Sequence, residues 1–229
     1  MPGLWANQDN RKTLSNYHRG EIIPNPNYTP YPPSRNFMSN DPRYWGGVDN
    51  AFMQGYGDKH ALYVNASSDN TSEAGDRFAQ GMASANSLIS QLDAGKVTLA
   101  DGETIKIVGH SQGGAFAAGI ASVLSKNEKY KSILQEVVYL EPHQPAAFSH
   151  PSSVSGTQIS SPDDRVASIW NFLSPVKGKT SFSWVNGVQN KKENKTHAGD
   201  YLGGHSIGTN LDEIAEYFQS KGVKVTVKE

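Results

Sequence analysis

The sequence predicts an α/β fold with a mostly parallel central sheet and helices on both faces. Three observations predict it. Short apolar runs of strand length, such as His60–Asn65 and Gln135–Leu140, alternate with longer stretches whose apolar residues recur every three or four positions. Helix-start and helix-stop residues bracket those longer stretches. One junction, IKIVGHSQGGAFAAGIASVL at 105–124, passes from strand to helix within a glycine-rich turn. Strands that alternate with helices return by crossover, which makes them parallel neighbours in one covered sheet.

Residues 1–58 form a first region and residues 59–229 a second. The first is dense in proline (IIPNPNYTPYPPSRNF) and in aromatics, among them Trp5, Tyr17, Tyr28, Tyr31, Tyr44, Trp45 and Phe52. It shows neither helical nor strand periodicity, so it reads as an irregular segment whose aromatics pack on the main core. From His60 the pattern is regular. After the strand His60–Asn65, Asn70 and Glu73 have the spacing of a helix-capping pair. Phe78, Met82, Ala85, Ile89 and Leu92 then mark one buried helical face, with Gly95 as the stop. A strand over Thr104–Val108 leads into the glycine turn and a helix from about Ser111 to Ser125. Strands are expected at Gln135–Leu140, Thr157–Ser160 and Ser181–Val185, while Val166–Phe172 suits strand or helix. Asn210 and Glu213 repeat the capping spacing before a helix carrying Leu211, Ile214 and Phe218, which Gly222 ends. The alternation of Val223–Val227 predicts an edge strand.

Composition narrows the function classes. The 229 residues carry a net charge of -1, which gives no broad basic surface for nucleic acid. The chain has no cysteine, which excludes disulfides, thiolate–zinc sites and cysteine nucleophiles. The first twenty residues lack the charged start and apolar run of a signal peptide. No run approaches the roughly 18 apolar residues of a membrane helix. The expected location is cytoplasmic, or outside the cell by a signal-independent route as part of a larger protein.

Gly109-His110-Ser111-Gln112-Gly113 fits G-x-S-x-G. A strand that reverses into a helix within a few residues forces the serine into a strained conformation. Flanking glycines remove side chains that would clash. The hydroxyl is then presented at the sheet edge, where the helix N-terminus aims N–H groups able to hold an oxyanion. A plain strand-to-helix turn needs one glycine and leaves the second unexplained.

Gly109–Gly114 resembles the nucleophile elbow of the α/β-hydrolase superfamily, in particular its lipase-like members. The resemblance extends from about His60 to the C-terminus through element order and short local patterns. It implies the chain order Ser, then Asp or Glu, then His. The base therefore lies among His143, His150, His197 and His205. His110, beside the serine on a strand end, faces the opposite side and reads as a packing residue. His143 and His150 precede a sensible acid, and His197 sits in the polar run VQNKKENKTHAGD. His205 follows two glycines and precedes the last helix, where such folds place their histidine. For the acid, SSPDDRVA at 160–167 resembles the acid loop of lipase-like hydrolases. That match assigns Asp164, with Asp163 as its close rival. Glu141, in VVYLEPHQP, stands where pancreatic-type lipases carry an Asp followed by Pro.

The resemblance implies a serine hydrolase that cleaves carboxylic esters through an acyl-enzyme, without metal or cofactor. Gln112 and Ala66 are the expected oxyanion-hole N–H donors. The aromatic N-terminal region and lipase-like elbow favour a lipase or phospholipase with an acyl ester or lipid substrate and transient contact with a membrane surface. The chain also resembles the catalytic ends of bacterial Rhs and polymorphic-toxin effectors, which implies an immunity protein as partner. The alternatives are a non-lipid carboxylesterase or thioesterase, and a binding module that keeps the fold without the chemistry.

Overall fold

The computed structural model describes residues 2–7, 22–24, 42–66, 73–162, 164, 183–194 and 205–226, with the backbone alone at 2–7, 22–24 and 42–43. The expected Asn70 cap, the Val166–Phe172 element, Asp163 and His197 lie outside the described residues.

Strands β1 (Pro2–Asn7), β2 (Ile22–Pro24), β3 (His60–Asn65), β4 (Ile105–His110), β5 (Leu134–Leu140), β6 (Ser155–Ser160) and β7 (Asn190–Glu193) form one sheet in the order β2-β3-β1-β4-β5-β6-β7. All neighbours are parallel except β2, which runs antiparallel to β3. The helices are α1 (Pro42–Trp45), α2 (Val48–Tyr56), α3 (Ala74–Asp93), α4 (Gly113–Leu124) and α5 (Leu211–Ser220).

Strand side chains alternate between faces, and each face has its own core. Leu62, Val64, Ile107, Val137 and Tyr139 pack with α3 and α4. Ala61, Tyr63, Val108, Val138, Leu140 and Ile159 pack with α2 and α5. Both faces are covered, which is why these strands read as continuous apolar runs. Helices α3 and α4 touch through their backbones. A Cβ on Gly81 would lie 2.0 Å from the Phe116 carbonyl oxygen, and one on Gly119 would lie 2.1 Å from that of Phe78. Among the described residues, no helix is long and apolar enough to cross a membrane.

Four expectations are corrected. The region 1–58 is not irregular throughout: 2–7 is an inner strand, 22–24 is an edge strand, and 42–45 and 48–56 are helical. Its apolar run Leu4-Trp5-Ala6 is too short to show a period, and long-range pairing makes it a strand. Val223–Thr226 forms no ladder; Val223 and Val225 pack instead on the α2/α5 core. Of the strand expected at Ser181–Val185, the described part 183–185 is not strand; the strand beside β6 is the polar segment Asn190–Glu193, whose charges suit an edge. Finally, Asn210 stands at the start of α5 without a side-chain capping bond. Its amide donates to the Ile207 carbonyl and its oxygen accepts from Asn194. Helix α3 is capped from far along the chain, where Gln144 Oε1 accepts the Ala74 N–H at 2.8 Å.

Candidate active site

Ser111 follows the last residue of β4, the middle strand of seven. Its φ is +56°, the left-handed region that side chains rarely occupy. Local contacts hold it there. The Ser111 N–H donates to the Leu140 carbonyl at 3.0 Å, and the Ser111 carbonyl accepts the N–H groups of Gly114 and His143, each at 3.0 Å. Gly109 lets helix and strand meet, since a Cβ there would lie 2.4 Å from the Gly113 carbonyl oxygen. Gln112 is the N-cap of α4, so its backbone leads directly from Ser111 into the helix start.

His205 reaches this turn from the chain before the 3-10 turn Ile207–Asn210. Its Nε2 is 2.9 Å from Ser111 Oγ, and its Nδ1 is 2.9 Å from Asp164 Oδ2. Asp164 lies in the turn after β6, with its N–H donating to the Ser161 carbonyl at 3.1 Å. All three side chains are buried. The structure thus brings Ser111, His205 and Asp164 into one hydrogen-bonded line at the carboxyl ends of β4 and β6.

Glu141 directly follows the neighbouring strand β5. It is fully buried, with φ +41°. Both carboxyl oxygens accept the Ser161 N–H, at 2.9 and 2.8 Å, and Oε1 lies 3.4 Å from Asn194 Nδ2. Burial, and next the negative charge of Asp164, push its carboxyl well above the usual glutamate range. The raised value favours the protonated form of Glu141 beside Asp164.

The other histidines divide clearly. His150 bridges Tyr139 Oη (2.8 Å) and the Val154 carbonyl (2.9 Å), which pins the connection from β5 to β6. Burial lowers its pKa. His143 is buried, and its backbone steadies the serine turn. His110 is buried, and packing is not its only contact. Its Nδ1 lies 2.7 Å from Tyr44 Oη and its Nε2 lies 2.9 Å from the His205 carbonyl. Burial first, then the neighbouring His205, lowers its pKa to about 3. Sequence reasoning missed Tyr44 and Asn194. Neither carries a local signal, because each enters the site only through tertiary contact.

The topology moves Ala66 away from the role expected of it. Ala66 follows β3, and β1 lies between β3 and β4, with Asn7 paired to Asn65 on one side and to His110 on the other. Two strand spacings put Ala66 about 10 Å from the serine turn. Its carbonyl instead anchors Arg77 Nη1 at 2.7 Å. The strand end beside Ser111 is that of β1.

This sheet order, helices on both faces and a left-handed serine between strand and helix define an α/β-hydrolase fold. No family model and no curated protein matches the chain. Solved structures similar to it include a lipase-esterase related protein from Clostridium acetobutylicum ATCC 824, at 11% identity and TM-score 0.48, covering 96% of this chain and 93% of the other. Another is a protein of unknown function from Agrobacterium tumefaciens, described as a candidate alpha/beta hydrolase. It has 16% identity and TM-score 0.43, covering 91% of this chain and 99% of the other. Likenesses this distant carry no residue roles.

Proposed function

We propose that this chain is a serine hydrolase acting on carboxylic esters, with Ser111 as nucleophile, His205 as general base and Asp164 as the acid. The observation that carries the reading is the continuous line Asp164–His205–Ser111, ending on a serine with φ +56°. Each part has a chemical task. The Asp164 carboxylate accepts the Nδ1–H of His205, which leaves Nε2 unprotonated and facing Ser111 Oγ–H. As Oγ attacks the carbonyl carbon, its proton passes to Nε2, and Asp164 stabilises the imidazolium. The carbonyl electrons move onto oxygen, and the Gln112 N–H at the start of α4 donates to that oxyanion. The neighbouring strand end at Asn7 is the natural source of a second donor. His205 then protonates the leaving alkoxide, and water activated by the same nitrogen releases the acid product.

Glu141 fits this scheme better as support than as a second acid. Its oxygens engage Ser161 and Asn194, while Asp164 contacts the imidazole. Among ester substrates, an acyl lipid is the first choice, on the resemblance of the Gly109–Gly114 turn and the aromatic N-terminal region. A soluble short-chain ester or thioester is the competing substrate. Rates on a chain-length series of esters, with and without micelles, test this choice. Preference for long, micellar esters supports the lipid reading, and preference for short soluble esters replaces it.

A further inference from the structure

We propose that Tyr44 and His110 are positioning residues that fix the main chain of His205: Tyr44 Oη–H donates to His110 Nδ1, and His110 Nε2–H donates to the His205 carbonyl. The inference rests on the proposed role of His205.

The direction of both bonds follows from the atoms present. A backbone carbonyl only accepts, so the 2.9 Å contact requires hydrogen on His110 Nε2. A neutral imidazole has one N–H, so Nδ1 is the acceptor in the 2.7 Å contact and Tyr44 supplies its hydroxyl hydrogen. His110 stays neutral because it is buried and lies beside His205, with ring centroids 5.2 Å apart. The titratable groups facing it are Tyr44 from α1, His205 and Asp164.

His110 directly precedes Ser111 on the end of β4. One strand end therefore presents the nucleophile and also grips the backbone that carries the base. The bonds from Ser111 and Asp164 orient only the His205 ring, whereas the His110 bond sets where the ring is hung. A displacement of about 1 Å in such a constellation lowers rate on the order of 100-fold. Tyr44 extends the grip to α1, which ties the N-terminal region to the site. A residue that merely fills space would affect stability and leave turnover alone.

The test joins a spectrum to kinetics on a soluble p-nitrophenyl ester. In wild-type protein, imidazole ¹⁵N–¹H correlation should show His110 neutral with Nε2 protonated between about pH 5 and 8. Tyr44→Phe removes one hydroxyl and frees the ring to exchange tautomers. It should lower kcat roughly 3- to 10-fold, as loss of one hydrogen bond does, with KM within about twofold and the protein still folded, its thermal midpoint lowered by a few degrees. His110→Gln places an amide N–H near the position of Nε2, whereas His110→Asn stops short of the His205 carbonyl. Gln should keep most of the rate that Asn loses. An Nδ1–H tautomer or an imidazolium in wild type would overturn the proposal. So would wild-type kcat in folded Tyr44→Phe. If the His110 variants fail to fold, the wild-type spectrum and Tyr44→Phe decide alone. Failure of the triad reading is separate: Ser111→Ala would then hydrolyse like wild type, while the tautomer measurement still reports on His110.

Discussion

Strands β4, β5 and β6 carry buried polar groups at both ends, and the two ends are built differently. Near their amino ends, on the α2/α5 face, charges are matched. Lys106 Nζ meets Asp58 Oδ1 at 2.8 Å, and Glu136 meets Lys221 Nζ at 3.0 Å. Glu136 also accepts the hydroxyls of Tyr56 at 2.8 Å and Thr157 at 2.9 Å, and that of Tyr217. At the carboxyl ends, Glu141 lies against a second carboxyl, and an imidazole joins Asp164 to a hydroxyl. Among the described residues, the non-glycine positions with positive φ are Ser111, Glu141 and Gln144, all at the carboxyl end. Such backbone costs about 1–3 kcal/mol per residue. The contrast separates tasks. One end ties helices to the sheet with satisfied charges, and the other holds strained residues and the groups proposed to react.

Substitutions at the two ends should break the contrast in opposite ways. The largest effect is expected from Ser111→Ala and His205→Ala, each lowering kcat about 10⁴-fold or more while the thermal midpoint holds, measured by ester hydrolysis and melting. Asp164→Asn should lose about 10⁴-fold through the wrong imidazole tautomer, whereas Glu141→Gln, which keeps a neutral hydrogen-bonding group, should lose less than about tenfold. Equal losses from the two would move the acid role towards Glu141. At the other end the pattern inverts. Lys106→Met leaves Asp58 buried without its cation and should lower stability by about 3 kcal/mol in denaturant titration, with kcat per folded molecule unchanged.

The smallest effect is a pH signature. The Glu141 carboxyl is raised above its ordinary 4.5, so the native state holds a proton that the unfolded chain releases. That contribution to stability is present below about 4.5 and declines as pH rises towards the folded value. Glu141→Gln removes the dependence. Its melting temperature relative to wild type should therefore climb as pH rises above 4.5, and a constant difference would mean that the Glu141 carboxyl is not raised.

The serine turn was legible because its constraints are local: Gly109, Ser111 and Gly113 satisfy them within five residues. The alternation of strand and helix from His60 onward was legible for the same reason. What escaped depends on which strands become neighbours. A three-residue apolar run does not reveal that β1 enters between β3 and β4, and without that insertion Ala66 looked adjacent to the nucleophile. The polar strand Asn190–Glu193 resembles a loop until β6 pairs with it. Val223–Val227 alternates like a strand, but at 223–226 its valines face a helical core instead of a ladder. Glu141 follows β5 and Asp164 follows the neighbouring strand β6, so sequence order alone does not separate them; in the structure it is Asp164 that contacts the His205 imidazole.

The most direct measurement is labelling with a fluorophosphonate serine-hydrolase probe, read by intact mass on wild type and on Ser111→Ala. An activated Ser111 predicts one adduct on the wild type and none on the variant. Equal labelling of both, or none on folded wild type with and without detergent micelles, would contradict the account.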